Sequence, residues 1–313
     1  MGRPARVDLG RGHVTDASPR HRAWTQLMRH RLARVSMIFL ATLLVLSLAA
    51  PLIAQFRGID PTATDLFRRF EPPSAEYWLG TDDLGRDLFQ RLLDGGRVSL
   101  LVGLSGAVLS AVFGAFIGVV AGYLGGRLDG FLMRLTDGVI SLPLLPLLIV
   151  LAAIDPRKIG VPAELAQSEA FSLYRIIVIV ALTGWTTVAR LVRAETLSLK
   201  ARDFTRAARA LGARPGRIMF RHILPNAAGS LVVATTMSVG ALILFESTLS
   251  FLGLGTQPPA ASWGNMLTGA QELLQQAPML ALWPGLLIFL TVIAFNFVGD
   301  GLQDALDPRS ERR

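Results

Sequence analysis

The stretch that decides how this chain folds reads A-R-D-F-T-R-A-A-R-A-L-G-A-R-P-G, from Ala201 to Gly216. It lies in a basic segment, Arg190 to Arg221, which holds nine lysines or arginines against two acids and separates two strongly apolar regions. In chains that cross a membrane several times, positive loops of this kind stay in the cytoplasm. The segment therefore predicts a membrane protein with this loop on the cytoplasmic side.

The basic segment also carries a helical pattern of its own. Apolar residues at positions i, i+3, i+4 and i+7 form one stripe, made of Phe204, Ala207, Ala208 and Leu211. The other side of the same helix carries Arg202, Arg206 and Arg209. Gly212 is placed to end the helix, and Pro215-Gly216 predicts a turn. A soluble partner can grip a short amphipathic helix at a membrane surface, so the pattern indicates a transport subunit driven from the cytoplasm.

The composition agrees with an integral membrane protein. The 313 residues are 51% apolar and the mean hydropathy is +0.47, which is high for a soluble domain. The net charge of +8 comes almost entirely from arginine, and in so apolar a chain it indicates anionic membrane lipid rather than nucleic acid as the partner. Cysteine is absent, which excludes disulfides, thiolate metal sites and a cysteine nucleophile.

Apolar runs of bilayer-spanning length predict an all-α integral membrane protein with six transmembrane helices. The predicted spans are 35–56, 98–122, 138–154, 173–192, 226–250 and 278–299. The other predicted parts are a leader 1–34, an outer loop 57–97 and a tail 309–313, with a core domain over 98–308 that includes the loop 193–225.

The distribution of positive charge predicts the orientation. Six spans place both termini on one side, and with that side in the cytoplasm the inner segments hold 22 of the 31 lysines and arginines. This excess predicts cytoplasmic termini. The first span is too long, and its basic leader too long, for a cleaved signal peptide. Residues 20–33 contain Trp24 and Leu27 among arginines and fit either a helix at the membrane interface or a plain leader.

The second predicted span carries a strip of small residues spaced four apart. Its members are Gly106, Ser110, Gly114, Gly118 and Gly122. Such a strip lets the backbone of another helix approach closely. It is either ordinary packing within this subunit or a seam that slides during transport.

Two polar residues in apolar stretches are candidates for a translocation pathway. Glu246 is a lone acid, and burial of an acid near the bilayer centre costs about 2–3 kcal/mol. It falls near the outer end of its span, where it could meet a cationic substrate terminus, reach water or cap a backbone group. Asn296 lies near the inner end of the last span, beside Asp300, which is interpreted as an interface charge.

The sequence contains no recognisable metal site. Thr81-Asp82-Asp83 predicts a helix N-terminus, but the calcium-loop pattern is missing. The four histidines lie on the predicted cytoplasmic side without ligand spacing; they are His13, His21, His30 and His222.

Four strings, in order from about residue 77 to residue 308, resemble one family. They are L-G-T-D-D-L-G-R-D (79–87) with R-V-S-L-L-V-G (97–103), A-A-R-A-L-G (207–212) with R-H-I-L-P-N (221–226), L-S-F-L-G-L-G (249–255) with S-W-G-N-M-L (262–267), and F-N-F-V-G-D-G-L-Q-D-A-L-D-P (295–308). With six spans between them, these strings make the chain similar to the inner-membrane permease subunits of ATP-binding-cassette importers, in the dipeptide, oligopeptide and nickel (DppC/OppC-like) branch. The resemblance implies the type I importer permease fold.

In that family the basic loop is the EAA loop, which docks into a groove on an ATPase subunit. The family pattern is Glu-Ala-Ala, three residues, Gly, nine residues, Ile, any residue, Leu-Pro. The chain matches it at Ala207-Ala208, Gly212 and Leu224-Pro225, but Arg206 replaces the glutamate and His222 the isoleucine. The resemblance implies that the stripe, the three arginines and Gly212 couple the chain to the ATPase. The reversed charge at Arg206 implies either a compensating acid on the ATPase or a position that does not bear on docking.

The resemblance also implies the partners. These are a second homologous permease, two ATP-binding subunits that bind the ATP and Mg²⁺, and a periplasmic or lipid-anchored substrate-binding protein in the bacterial inner membrane system. The implied binding-protein contacts are Asp82, Asp83, Arg86 and Trp263, with Trp263 either an apolar anchor or a membrane-interface tryptophan. The chain is expected to be no enzyme and to carry no cofactor, because neither Lys158 nor Lys200 sits in a phosphate-binding loop.

Other interpretations stay open to different degrees. The substrate is expected to be a di- or oligopeptide, but nickel or a nickel chelate remains an alternative because the binding protein selects the substrate. A self-sufficient secondary transporter would need buried coupling charges in several spans, whereas Glu246 is nearly alone. A membrane enzyme would need a metal or nucleophile constellation, and the sequence shows none.

Overall fold

The computed structural model describes residues 19–166, 168–257 and 259–306, and helices dominate it. The predicted all-α fold is confirmed: the described residues contain no strand, and their one β-type pairing is an isolated antiparallel bridge between Thr81 and Asp87. Most of the predicted leader, residues 1–18, and the predicted tail, 309–313, lie outside the described residues.

The helices follow one another along the chain, and the longest connection is the outer loop between α3 and α4. They are α1 (Pro19–Arg29), α2 (Arg31–Leu48), α3 (Ala50–Arg57), α4 (Leu88–Leu124), α5 (Gly126–Ser141), α6 (Leu144–Ala153), α7 (Ala163–Ala166), α8 (Glu169–Lys200), α9 (Asp203–Ala210), α10 (Pro215–Arg217), α11 (Ala228–Phe251), α12 (Trp263–Met266), α13 (Ala270–Leu273) and α14 (Met279–Leu306). The described chain also has 3₁₀ turns at Leu66–Arg68 and Pro156–Ile159 and a π-helical turn at Ile218–Ile223.

Five of these helices are long and apolar enough to cross a bilayer: α2, α4, α8, α11 and α14. The helices α5 and α6 together pass the same test, but they meet at an angle of 88°. The described residues thus provide five spans, or six if the bent pair is one span, in agreement with the predicted six-helix fold.

The bent pair differs from the predicted straight span 138–154. Pro143 has no N–H to donate to the preceding helical turn and disfavours helical backbone at the residue before it. Accordingly Leu142 is extended (φ −76°, ψ 137°), and α6 starts after Pro143. The predicted span 138–154 therefore contains the end of α5 and all of α6, and these two helices run at nearly a right angle to each other. Proline acts similarly in the predicted span 35–56, where Ala49 separates α2 from α3 and Pro51 opens α3.

Two helices extend well beyond their predicted spans. Helix α4 begins ten residues before the predicted span 98–122, because Asp87 caps it by accepting a hydrogen bond from the Gln90 N–H at 2.6 Å. Helix α8 continues to Lys200, so the first residues of the predicted loop 193–225 are helical. The predicted boundaries were set by the charged residues Arg97 and Arg193. Charged side chains limit the part of a helix that can lie within the membrane, but the helix itself can continue past them.

The centre of the bundle is the contact between α4 and α8, and the small-residue strip makes it possible. A Cβ atom on Gly114 would lie 2.6 Å from the Trp185 carbonyl oxygen, and one on Gly118 would lie 2.5 Å from the Ala189 carbonyl oxygen. A Cβ on Gly122 would lie 2.8 Å from the Cβ of Thr196. Of the two interpretations of the strip, the structure therefore supports packing within the subunit.

Helix α4 defines the two ends of the molecule. Its first residue, Leu88, belongs to the predicted outer loop 57–97, and Tyr123, next to its last residue, accepts a hydrogen bond from Lys200 at the end of α8. We call the second of these the α9 end, because α8 leads directly into α9 there. The α9 end also holds α1, where Leu27 packs against Gly301 of α14.

The outer loop folds around the motif L-G-T-D-D-L-G-R-D. Gly85 has a φ of +76°, and a Cβ atom there would lie 1.9 Å from the Asp65 carbonyl oxygen, so this position requires glycine. Thr81 fixes the neighbouring turn because its hydroxyl donates to the Arg68 carbonyl and accepts from the Glu71 N–H. Hydrogen bonds to Tyr77 and Glu76 raise the pKa of Arg68.

Candidate functional site

Helix α9 is a short rod with defined ends, as its local sequence predicts. Asp203 lies in its first turn, where the negative charge of a carboxylate interacts favourably with the helix dipole. After the last turn Gly212 takes the left-handed conformation, with a φ of +79°. The Gly212 N–H donates to the Arg209 carbonyl oxygen at 3.0 Å, and the Ala213 N–H donates to the Ala208 carbonyl oxygen at 3.1 Å. These bonds end the helix and turn the chain back towards the bundle.

The apolar stripe of α9 is largely uncovered by the residues that the structure describes. Phe204 is 41% exposed and Leu211 is 88% exposed. Ala207 is exposed as well, and Ala208 alone among the four packs partly against the core. Two large apolar side chains thus stand free on a strongly basic surface, which is characteristic of a contact site for a partner protein.

The other face of α9 holds the helix to the bundle. Thr205 is fully buried, and its hydroxyl donates to the Leu199 carbonyl oxygen at 2.8 Å. The guanidinium of Arg209 lies 5.8 Å from the ring centre of Tyr123, the penultimate residue of α4. Arg209 therefore contacts its own chain, whereas the sequence pattern placed all three arginines on one free face. Arg202 and Arg206 are exposed, and the nearest carboxylate to Arg206 is Asp203 at 3.9 Å.

The segment after Gly212 corrects the predicted turn at Pro215-Gly216. Pro215 instead opens a helical turn, α10, where its missing N–H has no cost. The π-helical turn that follows buries Ile218, Met219 and Ile223 against α4 and α8. These isoleucines anchor the loop, while His222, in the family's isoleucine position, stays partly exposed.

The α9 end of α8 is bound to three other helices by polar contacts. Lys200 donates to the Tyr123 carbonyl oxygen of α4 at 2.6 Å. Arg193 binds Asp129 of α5 through two hydrogen bonds of 2.6 and 2.7 Å. Ser230 of α11 donates to Glu195 at 2.9 Å. A displacement of this end of α8 would therefore be transmitted to α4, α5 and α11.

Sequence reasoning missed most of these connecting residues. The sequence pattern gives Lys200 no role beyond excluding a P-loop, and it gives no role to Tyr123, Asp129 or Arg193. The available signal was their charge: Asp129 and Arg193 border apolar stretches at the same predicted membrane face, where opposite charges have reason to pair.

Glu246 does not face an open path in this chain. Its side chain is 0% exposed, and its carboxylate accepts hydrogen bonds from Ser250 at 2.7 Å and from Ser99 at 2.9 Å. Of the predicted possibilities, contact with water is wrong for this chain: the carboxylate is buried, and its hydrogen-bond donors are serine hydroxyls of α4 and of its own helix, α11. Asn296 is exposed on α14, and its pathway role stays a prediction.

The candidate contacts of the binding protein are divided between surface and interior. Trp263 is 0% exposed, with its indole N–H donating to the Leu92 carbonyl oxygen at 3.0 Å and its ring lying against Gly95 and Gly96. It is therefore neither a surface anchor nor an interface tryptophan, because two glycines on α4 make room for the ring. Asp82 is also buried, in ion pairs with Arg86 and Arg91. Asp83 stays exposed, and its contact role stays a prediction.

These features are those of a multi-span transport permease with an amphipathic helix at one end, held to the bundle on one face and with its apolar stripe uncovered. A family model described as the binding-protein-dependent transport system inner membrane component matches residues 114–312, and a model of the N-terminal transmembrane domain of oligopeptide transport permease C matches residues 18–73. The chain therefore belongs to the family of binding-protein-dependent transport system inner membrane components, and the resemblance to permeases of ATP-binding-cassette importers is confirmed.

Several relatives match this chain over nearly its whole length. A putative peptide permease protein of Brucella suis biovar 1 is 41% identical over 305 residues, which cover 97% of this chain and 95% of that protein. The oligopeptide transport system permease protein OppC of Bacillus subtilis is 37% identical over 287 residues, or 92% and 88% of the two chains. The glutathione transport system permease protein GsiD of Escherichia coli O6:K15:H31 is 38% identical over 292 residues, or 93% and 91%.

Proposed function

We propose that this chain is the permease subunit of a peptide importer and that α9 is the element on which the ATPase subunits act. The names of the relatives support peptides as the substrate class, since all of those described above are named for peptides or glutathione. The observation that carries the coupling role is the uncovered stripe with Phe204 and Leu211 on a helix that is otherwise bound to the bundle.

The energetics of this contact are adequate for coupling. Burial of one large apolar side chain stabilises an interface by about 1.5–3 kcal/mol. Two such side chains, with Arg202 and Arg206 facing an acidic rim, supply an attachment of several kcal/mol. A two-state gate needs a differential of roughly 5 kcal/mol to switch almost fully. The ATPase must therefore hold α9 in both states and move it, and ATP hydrolysis supplies the work.

The contacts at the α9 end give a route for this motion. Thr205 ties α9 to α8, and Arg209 ties it to Tyr123 of α4. Because α4 and α8 pack backbone to backbone along their small-residue strip, they move as one unit rather than sliding past each other. A push on α9 is then delivered to the bundle core as a rigid-body tilt.

We assign the remaining partners by the same reasoning. A second homologous permease completes the translocation path, two ATPase subunits bind the ATP and Mg²⁺, and a periplasmic or lipid-anchored binding protein delivers the substrate at the outer-loop end. The positive charge near α9 supports a cytoplasmic position for that end, and hence for both termini, in the bacterial inner membrane. This chain then acts as a transport subunit rather than an enzyme.

The absence of cysteine offers a clean test of orientation. Leu211→Cys and Asp83→Cys each introduce the chain's single thiol, at exposed positions on opposite ends. In intact spheroplasts, a membrane-impermeant maleimide should label the Asp83→Cys protein and should label the Leu211→Cys protein only after the membrane is opened. The reverse pattern would refute the proposed orientation.

Reconstitution tests the energy source. Proteoliposomes that contain both permeases and both ATPases should accumulate peptide when the binding protein and ATP are supplied. Vesicles with the two permeases alone should show no accumulation. Accumulation without the ATPases, driven by a proton or sodium gradient, would instead identify a secondary transporter.

A further inference from the structure

A cavity of about 350 Å³ lies at the end of the molecule opposite α9. One wall comes from residues 82–91, at the outer loop and the start of α4, and the other comes from residues 250–280, between α11 and α14. Both stretches lie in segments that the charge pattern places on the outer side of the membrane. The volume is within the range of small-ligand sites and is sufficient for a short peptide.

The cavity contains a buried hydroxyl group without a partner. Thr256 is only 4% exposed and lines the cavity, and its Oγ1 atom makes no hydrogen bond within the described part of the chain. A buried hydroxyl left unsatisfied costs about 1–3 kcal/mol, so few are retained without a reason. A ligand with a polar group at this point would remove that cost.

Two arginines line the same cavity and have spare donors. The Nε atoms of Arg86 and Arg91 lie 2.7 and 3.1 Å from the same carboxylate oxygen of Asp82. Arg91 forms this ion pair through Nε, and its two terminal nitrogens carry further N–H donors on a side chain that is more than nine-tenths buried. A guanidinium can bind a carboxylate through two parallel hydrogen bonds, so this arrangement is suited to a carboxylate ligand.

The cavity also offers a free acid, which makes its charges balance. Asp83 lines the cavity and is 47% exposed, and its one ionic contact is a long one, 3.7 Å to Arg86. With Asp82 and the two arginines, the wall carries two positive and two negative charges. A net-neutral wall with unsatisfied groups of both signs favours a zwitterion over a simple anion or cation.

We propose that this cavity is a binding site for the charged termini of a short peptide, with its carboxylate on Arg91 and Thr256 and its ammonium group on Asp83. The choice of a peptide rests on the proposed function, whereas the site itself rests on the geometry. Such a site would hold the substrate briefly on the permease after the binding protein releases it.

The buried carboxylate of Glu246 positions one wall of this site. Ser250 donates to Glu246 and accepts a hydrogen bond from the Thr256 N–H at 3.3 Å. Ser99 donates to the other carboxylate oxygen and accepts from the Trp263 N–H at 3.3 Å. One carboxylate thus fixes, through two serines, both ends of the segment from Thr256 to Trp263. Glu246 is a positioning residue here and does not touch the ligand.

The test uses the complete transporter in lipid nanodiscs without its binding protein, and dialanine as the probe. Thr256→Val removes the unpartnered hydroxyl with almost no change of shape, and Asp83→Asn removes the free charge at an exposed position, so neither should impair folding. Thr248→Val is the matched control, because that hydroxyl bonds within its own helix, to the Leu244 carbonyl oxygen, and lies outside the cavity wall. Binding is measured by equilibrium dialysis of radiolabelled dialanine at up to millimolar concentrations.

We expect Thr256→Val to weaken dialanine binding about tenfold or more and Thr248→Val to leave it unchanged. Asp83→Asn should weaken binding of dialanine but not of N-acetyl-dialanine, which lacks the ammonium group. Dialanine amide should bind weakly to the unaltered protein. Absence of dialanine binding, or equal binding by all three variants, would overturn the proposed site.

A second arm separates a peptide carboxylate from a carboxylate on the docking protein. Affinity of the substrate-free binding protein for the nanodiscs should be the same for Thr256→Val and the unaltered chain, because Thr256 is buried and is not a predicted docking contact. Weakened docking without any dialanine binding would assign the cavity to an acidic side chain of the binding protein and would reject our proposal. ATP-driven peptide uptake, measured in parallel, reports on the proposed function independently: intact uptake with no site-dependent binding rejects the site alone.

Discussion

Gly212 is a single residue on which the geometry of α9 depends. Its φ of +79° lies in the left-handed region, but a Cβ atom there would meet no other atom within 4 Å. Glycine is thus favoured at this position because of its backbone conformation and not because a side chain would lack space. A non-glycine residue in this conformation costs about 1–2 kcal/mol, and asparagine tolerates it best.

We therefore predict different results for two substitutions of similar bulk at this position. Gly212→Val should unravel the last turn of α9 and reduce peptide-stimulated ATPase activity severalfold, while the chain still inserts into the membrane. Gly212→Asn should retain most of the activity. The measurement is ATP hydrolysis by the purified complex; equal activities for the two variants would show that the left-handed turn does not matter for coupling.

Glu246 illustrates how burial changes the meaning of a charged residue. Inside the bundle its carboxylate is the acceptor for two serine hydroxyls that are themselves buried, those of Ser99 and Ser250. Glu246→Gln keeps an acceptor oxygen in the same place, whereas Glu246→Leu leaves each hydroxyl unsatisfied, at about 1–3 kcal/mol per group.

The expected outcome is that Glu246→Gln unfolds at nearly the same temperature as the unaltered chain and transports the same set of peptides. Glu246→Leu should be clearly less stable in detergent, as measured by a fluorescence-detected thermal melt. A change in peptide selectivity for Glu246→Gln, with stability retained, would show that Glu246 acts in the translocation pathway.

At the scale of elements, the contact between α4 and α8 holds the fold together. The backbone carbonyl oxygen of Ala189 lies only 2.5 Å from the position of a Cβ atom on Gly118. The backbone cannot move aside as a flexible side chain can. Overpacking of this kind costs about 1–3 kcal/mol.

Gly118→Ala should therefore lower the free energy of unfolding by about 1–3 kcal/mol, which a lower melting temperature would report. Gly130→Ala is the matched control: it lies in α5 with nothing within 4 Å of the added Cβ, and alanine is the better helix former. We predict a stability for Gly130→Ala that is unchanged or slightly raised. Equal melting temperatures for the two variants would contradict the close packing of α4 on α8.

The elements also show what the sequence could and could not predict. The position of α9 follows from local signals, namely an apolar stripe, an acid in the first turn and a glycine stop, and these act within a few residues. The bend at Pro143 was missed because hydropathy counts apolar residues and ignores a proline between them. The burial of Trp263 depends on Gly95 and Gly96, which are far away in sequence, and no local pattern records that contact.

At the scale of the whole molecule, the two ends of the bundle have different chemistry. The α9 end is basic and presents an uncovered apolar stripe, while the opposite end encloses a polar cavity between two segments distant in sequence. The approximate positions of the spans could be predicted because membrane crossing depends on the length and composition of local apolar runs, although the breaks at Ala49 and Pro143 could not. The cavity could not, because it exists only where residues 82–91 meet residues 250–280.

The central claim is that ATPase subunits act on the bundle through the uncovered stripe of α9. It is tested most directly by ATP-driven peptide uptake into proteoliposomes with Leu211→Asp, compared with Ala210→Asp on the same helix. Both residues are exposed, but Ala210 lies outside the stripe. We predict that Leu211→Asp abolishes uptake and releases the ATPases during purification, whereas Ala210→Asp retains both. Normal uptake with Leu211→Asp and the ATPases bound would contradict the account.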